Sequence, residues 1–221
     1  MDDLAQLLKA AKAGEAEAQF QAAYAYENGE GLSKSDRKAL RWYLAAAKQN
    51  HVKAQLSVGY FYYNGLGGVS EDCEEAAAWY RRAAEQGDMT AQNNLGVLFH
   101  LGKGVEKDPA AAAKWFALAA EQGSIDAQTN LGLLYDRGEG VEQDYAKAAE
   151  LYRKSAAAGS ARAQNNLGLL YESGDGVERD LEEAAKWYEL AAAQNYASAK
   201  LNRKRLAKST AGAEEPIPLR K

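Results

Sequence analysis

The side chains that could bind a metal ion or act as a nucleophile are few and far apart in this sequence of 221 residues. It contains two histidines, His51 and His100, and a single cysteine, Cys73. A structural zinc site needs about four such ligands at short, regular spacings, so the sequence predicts no metal site. One cysteine cannot form an internal disulfide, and the sequence therefore does not require an oxidising compartment.

Carboxylates and glycines are plentiful, but their arrangement does not predict catalysis. Asp136 and Glu172 lie 36 residues apart, and acid–base chemistry would need an enclosed site that tunes their pKa values. Gly102 and Gly104 superficially resemble a phosphate-binding loop, yet no strand precedes them and no Gly-Lys-Ser/Thr follows. We therefore expect no catalytic residue and no cofactor, and we expect that the chain is not an enzyme.

A pattern that recurs five times organises the chain. Its clearest copy is residues 91–126, and the alanines that open the copies are spaced by 36, 37, 36 and 36 residues: Ala18, Ala54, Ala91, Ala127 and Ala163. Such a period indicates a repeat architecture in which each unit packs only on its neighbours. We predict a half-repeat over 1–17 and full repeats over 18–53, 54–90, 91–126, 127–162 and 163–198.

Each copy is predicted to form two helices joined by a glycine turn. In the first helix, Ala91, Leu95 and Phe99 follow helical periodicity. Gly96 recurs in three other copies and is expected to let the partner helix approach closely. The aromatic pair Trp115-Phe116 of the second helix also recurs, and each ring can bury about 150–250 Å² between neighbouring hairpins.

The boundaries of the second helices carry capping residues. A serine or aspartate precedes each of them as a predicted N-cap, namely Ser35, Asp72, Asp108, Asp144 and Asp180. Asp72 with Glu75, and Asp180 with Glu183, have the spacing of capping boxes. A glycine or asparagine, the residue types that tolerate a left-handed conformation, is predicted to end each helix.

The repeated pattern resembles that of a known family. It runs Ala-x-x-x-Leu-Gly-x-x-Tyr-x-x-Gly-x-Gly-Val-x-x-Asp, then Ala-x-x-Trp-Tyr-x-x-Ala-Ala-x-x-Gly, and it is similar to the Sel-one-like repeat family over residues 10–200. The Gly-x-Gly turn and the longer period separate it from the tetratricopeptide unit of about 34 residues. The resemblance implies an all-α, right-handed superhelical solenoid of antiparallel helix pairs, with five full repeats and flanking half-repeats. It also implies an adaptor for other proteins, without naming a partner.

The two ends of the chain differ from the repeats. The pattern continues for one polar helix over 199–208, which we predict to cap the array, so that 1–208 forms a single solenoid. Residues 209–221 lack periodicity, and we predict a flexible tail. Residues 197–221 carry seven Lys or Arg and two Glu. This basic segment could instead attract an acidic partner, although capping is the interpretation we prefer.

Charge and hydropathy exclude several classes of partner. The net charge of −4 and a pI near 5.4 argue against binding to nucleic acid or to an anionic membrane surface. No apolar run is long enough for membrane insertion, and Met1-Asp2-Asp3-Leu4 does not begin a signal peptide. We expect a cytoplasmic monomer, with an exported or periplasmic location left open if a leader was removed.

The predicted binding residues come from comparing equivalent positions of the first helices. Three positions per repeat, at i, i+4 and i+7, are expected to face the concave side. In the first three repeats we predict a partner-binding groove formed by Phe20, Tyr24, Leu56, Tyr60, Tyr63, Asn93 and His100. Later in the chain the first and third of these positions become polar or acidic, with Thr129, Asp136, Asn165 and Glu172, while the second holds Leu133 and Leu169. Replacing Asp136 is expected to leave folding unaffected.

The excess of aromatic residues in the first two repeats favours a binding role. An exposed aromatic patch usually marks an interface, although Tyr24 and Tyr60 could instead fill a less regular N-terminal packing. We therefore predict a non-catalytic scaffold or adaptor that binds a protein or peptide partner. A hydrolase-type enzyme and a self-associating structural protein remain as alternatives.

Overall fold

The computed structural model describes residues 2–213, which form twelve helices and no strand. They fall into two compact units, Met1–Gln122 and Gly123–Lys221. The first contains α1 (Asp2–Ala13), α2 (Ala16–Asn28), α3 (Asp36–Ala47), α4 (Val52–Asn64), α5 (Cys73–Glu85), α6 (Met89–Leu101) and α7 (Pro109–Glu121). The second contains α8 (Ile125–Arg137), α9 (Tyr145–Ala157), α10 (Ala161–Ser173), α11 (Leu181–Ala193) and α12 (Ala197–Ala213). The predicted all-α fold class is confirmed.

The last helix is longer than the predicted cap over 199–208. It begins at Ala197 and extends to Ala213, a span that contains no proline to interrupt it. The predicted tail over 209–221 therefore starts inside a helix, and residues 214–221 lie outside the described residues. Within the part of the chain that is described, no helix is both long and apolar enough to cross a membrane.

The predicted N-caps begin the second helices. For example, Asp108 Oδ1 accepts a hydrogen bond of 2.9 Å from the Ala111 amide, and the other four caps accept equivalent bonds from the first turns of α3, α5, α9 and α11. The predicted capping boxes are wrong in one respect, because the glutamate side chain does not accept a hydrogen bond from the amide of the N-cap residue. The Asp72 amide donates to the Tyr62 carbonyl at 2.9 Å, so it does not bond to the Glu75 side chain.

This backbone bond closes every hairpin. In all five repeats the amide of the N-cap residue donates to a carbonyl near the end of the first helix, at 2.8–2.9 Å: Ser35 to Tyr26, Asp72 to Tyr62, Asp108 to Phe99, Asp144 to Tyr135, and Asp180 to Tyr171. A buried amide left without a partner costs free energy. This main-chain hydrogen bond therefore holds the two helices together at the turn. It does not depend on the residue type at the third position of the second helix, where Glu75 lies in the second repeat.

Glycine is required at two kinds of position. Gly104 has a φ of +66°, and a Cβ there would lie 2.0 Å from the Cys73 carbonyl oxygen at the start of the preceding second helix. Inside the first helices, a Cβ on Gly96 would lie 2.7 Å from the Phe116 ring. The predicted close approach of the two helices is thus confirmed, because the ring of the second helix lies directly over the glycine.

The core combines alanines, apolar side chains of the first helices such as Leu95 and Leu98, and the second ring of each aromatic pair. Phe116 is buried over Gly96 of its own hairpin, and Tyr80 is buried over Gly59 in the same way. The Tyr43 ring also meets Phe61 of the next repeat, with centroids 5.6 Å apart. These rings therefore pack within a hairpin as well as between hairpins, whereas the sequence analysis assigned them only to the junction.

Buried glutamines join successive helices, a feature that the sequence analysis missed. Gln92 Nε2 donates to the Ala84 carbonyl at 3.2 Å, and its Oε1 accepts from Gln122 Nε2 at 2.8 Å. Gln55 makes the same two bonds, to the Ala47 carbonyl and from Gln86. Each such amide links three consecutive helices. The recurring Ala-Gln pair at the start of every first helix was the signal for it.

Candidate binding surface

Two aromatic residues of the predicted groove, Tyr60 and Tyr63, border a cavity. Tyr60 on α4 is 48% exposed and Tyr63 is half-buried. Together with Tyr80 of α5 and Asn94 and Val97 of α6, they line a cavity of about 320 Å³, completed by Asn64 and Leu98. The helical spacing of Tyr60 and Tyr63 places both on one side of α4, and the α4–α5 hairpin holds Tyr80 beneath them. The structure therefore brings two of the predicted site residues together.

A lysine from the following turn lies against this aromatic pair. Lys103 Nζ is 3.5 Å from the Tyr63 hydroxyl and 5.4 Å from the centroid of its ring. A cation over a tyrosine face is attracted by the ring quadrupole. The rim of the cavity therefore carries a positive charge next to a phenol.

Phe20 and Tyr24 lie at a separate recess of the same unit. Tyr24 is 47% exposed, and both residues line a recess of about 650 Å³ with Leu4 and Leu7 of α1. Phe20 is half-buried and stacks on His51, with centroids 4.7 Å apart. Phe20 is therefore partly a core residue, whereas Tyr24 presents its ring to solvent.

The other three residues of the predicted groove, Leu56, Asn93 and His100, line neither the cavity at Tyr60 nor the recess at Tyr24. Leu56 is half-buried against the cluster that contains Tyr80 and Leu95. Asn93 and His100 are half-buried on α6. The residues next to them in sequence or in helical register, Asn94 and Val97, line the cavity instead.

Two of the positions expected to face the concave side are buried. Thr129 is fully buried, and its hydroxyl lies 2.5 Å from the Ser155 hydroxyl. Asn165 is 4% exposed and accepts a hydrogen bond from Asn202 of α12 at 2.9 Å. The expectation that these two side chains face the concave side is wrong, because both are buried and form hydrogen bonds between neighbouring helices.

Acidic residues at the ends of the first helices accept hydrogen bonds from tyrosines of the second helices. The Tyr152 hydroxyl donates to Asp136 Oδ2 at 3.2 Å, and the Tyr43 hydroxyl donates to Glu27 Oε2 at 2.5 Å. Burial raises the pKa of Asp136, and the hydrogen bond from Tyr152 opposes this rise. We therefore expect replacement of Asp136 to affect folding, whereas the sequence analysis predicted a nearly neutral effect.

The second repeat departs from this arrangement. Tyr63 occupies the position that Glu27, Asp136 and Glu172 hold in their repeats, so the buried Tyr80 has no carboxylate from its own first helix. Burial raises the pKa of Tyr80, the neighbouring Tyr63 adds to the rise, and a hydrogen bond with Asn94 opposes it.

Sequence reasoning missed Tyr80, Asn64 and Asn94 as part of this surface. Tyr80 had been assigned to the repeat pattern and hence to the core alone. The signal for its second role was the aromatic residue at position 63, where other repeats have an acid that bonds the corresponding tyrosine. The described residues contain no group of three histidine, cysteine, aspartate or glutamate side chains that could hold a metal ion.

Solved structures with similar folds support the repeat architecture. A protective antigen of uropathogenic Escherichia coli with an SLR fold is 40% identical at a TM-score of 0.85, over 90% of this chain and 43% of that protein. The chain thus spans less than half the length of that relative. A Sel1 repeat protein from Oxalobacter formigenes is 34% identical at a TM-score of 0.77, over 86% and 83% of the two chains. An immunity protein from Pseudomonas aeruginosa is 25% identical at a TM-score of 0.50, over 84% and 68%.

The family model gives the same repeat count as the sequence pattern. The Sel1 repeat matches residues 16–51, 52–88, 90–124, 125–160 and 161–196. No curated protein sequence is significantly similar to the chain. Since five copies of the repeat account for most of its length, the chain belongs to the Sel1 repeat family, whose members are generally protein-interaction scaffolds.

Proposed function

We propose that this protein is a non-catalytic adaptor that binds a protein or peptide partner at the surface of α4 and α6, centred on Tyr60 and Tyr63. The observation that carries the proposal is the 48% exposure of Tyr60 at the edge of a cavity of about 320 Å³. Large rings at the edge of a concavity are the usual anchors of protein interfaces, because they bury much area at little entropic cost.

The packing of the repeats does not need these rings. At the position of Tyr60 the third repeat has Val97 and the fifth has Leu169, and both repeats form the same helix pair. Tyr63 likewise stands where a smaller acid suffices in three other repeats. Aromatic side chains at both positions are therefore best explained by a partner.

The chemistry of the cavity favours binding over catalysis. Its lining consists of phenols, amides and aliphatic side chains, which suit the apolar contacts and few directed hydrogen bonds of a recognition site. Phe20 and Tyr24 supply a second apolar recess in the same unit. Leu56, Asn93 and His100 flank the cavity residues along α4 and α6 and complete the proposed surface.

Site-specific photo-crosslinking in cells tests this proposal. A photoreactive phenylalanine analogue replaces Tyr60 in one variant and Leu169, its equivalent in the fifth repeat, in a matched control. The proposal predicts protein adducts from position 60 that are absent or much weaker from position 169. Adducts only from position 169, or a product of twice the mass of the chain as the sole adduct, would refute it, the latter in favour of self-association.

A further inference from the structure

The buried tyrosines of the second helices follow a rule to which one repeat is an exception. Tyr43, Tyr152 and Tyr188 each donate a hydrogen bond to a carboxylate at the end of the first helix of their own repeat, at 2.5, 3.2 and 2.7 Å. In the third repeat the ring is Phe116, which has no hydroxyl. Only the second repeat combines a tyrosine, Tyr80, with an aromatic residue in place of the acid.

The hydroxyl of Tyr80 lies at the cavity with Asn94 as a hydrogen-bond partner, and its own first helix supplies no carboxylate to accept its proton. Tyr80 is 3% exposed and lines the cavity with Tyr60, Tyr63 and Asn94. A tyrosine hydroxyl is protonated at neutral pH, and burial raises the pKa of the Tyr80 phenol further. A buried donor gains most from an acceptor that carries a negative charge.

The charges around the cavity fit an anionic group. The sequences of α4 (Val52–Asn64) and α6 (Met89–Leu101) contain no aspartate or glutamate, although the whole chain has a net charge of −4. Lys103 lies at the rim, against the Tyr63 ring. Local charge therefore disfavours a cationic side chain and favours a carboxylate.

We propose that the cavity between α4 and α6 receives the carboxylate of an aspartate or glutamate of the partner, which accepts the hydrogen bond of the Tyr80 hydroxyl. The inference rests on the binding function proposed above and specifies its ligand. The partner's carboxylate takes the place that Glu27 and Glu172 fill in their own repeats. Its aliphatic stem packs against Tyr60 and Val97, and Lys103 balances its charge.

Small probes test the proposal without a known partner. The probe is N-acetylglutamate N-methylamide, and its matched control is N-acetylglutamine N-methylamide, which has the same shape without the charge. N-acetylalanine carries a C-terminal carboxylate, so comparing it with the glutamate probe shows whether the cavity prefers a chain-end or a side-chain carboxylate. Each is titrated to millimolar concentrations while NMR follows the Asn94 side-chain amide and the Val97 methyl groups.

Three variants test whether the Tyr80 hydroxyl binds the probe. Tyr80→Phe keeps the ring over Gly59, as Phe116 lies over Gly96, and should weaken the glutamate probe about tenfold or more. Tyr152→Phe, whose hydroxyl is already bonded to Asp136, should leave the titration at the Asn94 and Val97 signals unchanged. Tyr63→Glu supplies an internal carboxylate and should abolish binding of the probe.

The outcomes separate this inference from the proposed function. Selective binding of the glutamate probe that Tyr80→Phe weakens supports the inference. Tighter binding of N-acetylalanine than of the glutamate probe would overturn it in favour of a chain-end carboxylate. Equal shifts from the glutamate and glutamine probes, no shift from any of the three probes, or an unchanged titration in Tyr80→Phe would overturn it. In those cases adducts from position 60 would still support a partner at this surface, recognised by apolar contacts alone.

Discussion

The hydroxyl of Tyr188 donates a 2.7 Å hydrogen bond to Glu172, and Arg205 of α12 binds the same carboxylate oxygen at 2.6 Å. The tyrosine comes from the second helix of a repeat and the glutamate from the end of its first. The pair therefore ties the two helices together at the level of their side chains. An acid on a first helix can thus be part of the scaffold.

Removing this kind of hydrogen bond should cost more than removing the hydroxyl of Tyr80. Tyr152→Phe leaves the half-buried Asp136 without its donor, and we expect it to lower the free energy of unfolding by about 1–2 kcal/mol. Tyr80→Phe leaves no carboxylate behind and should change it by less than about 0.5 kcal/mol. Denaturant titration followed by circular dichroism measures both. Equal losses in the two variants would contradict the distinction between the repeats.

The stability of the protein should depend on pH through Asp136. Burial raises the pKa of this carboxyl, so between its ordinary pKa of about 3.9 and the raised value the folded state binds more protons than the unfolded state. The free energy of unfolding contributed by Asp136 therefore falls as pH rises through that interval. Asp136→Asn should flatten the slope, whereas Asp126→Asn on the exposed side of α8 should not. An unchanged slope in Asp136→Asn would show that this carboxyl does not couple to folding.

Filling the space under a buried ring should destabilise its hairpin. Gly96→Ala places a methyl group 2.7 Å from Phe116, and we expect a net loss of about 1–3 kcal/mol from overpacking, despite the better helix propensity of alanine. Combining it with Phe116→Leu should recover part of the loss, because the smaller side chain leaves room for the methyl group. Thermal unfolding compares the two variants, and a stabilised Gly96→Ala would mean that the helices separate at no cost.

Loss of an N-cap should weaken the second helix of the third repeat. In Asp108→Ala the Ala111 amide loses its side-chain acceptor, which should cost about 1 kcal/mol. Glu106→Ala, an exposed residue of the same turn, serves as the matched control and should be close to neutral. If both changes shift the denaturation midpoint equally, the Asp108 side chain does not stabilise the start of α7.

Most of the fold could be predicted because its determinants are local and repeated. Asp108 and Pro109 mark the start of α7 by capping chemistry alone, and Gly96 marks a close approach because a helix interior otherwise disfavours glycine. The buried glutamines were missed for a different reason. A glutamine such as Gln92 looks like a surface residue until two neighbouring helices supply its partners, and helical periodicity does not reveal those contacts.

The candidate site was only partly predictable. Tyr60 and Tyr63 could be identified because they interrupt a pattern that other repeats keep. Thr129 was misplaced because side-chain direction was judged from spacing in an ideal helix, whereas the packing of its neighbours turns that face inward. Asp136 was misread since the tyrosine that bonds it lies on another helix.

Tyr60 and Tyr63 are proposed to anchor a protein partner. The most direct measurement is the dissociation constant of the protein crosslinked at position 60, purified and titrated against three forms of the chain. We expect Tyr60→Ala combined with Tyr63→Ser to weaken binding by at least about 30-fold, because a lost interface anchor costs about 2 kcal/mol or more, while Leu169→Ala binds as the wild type does. Circular dichroism must show the double variant to be folded. Normal binding by the folded double variant would contradict the account, and so would a loss in Leu169→Ala as large as that in the double variant.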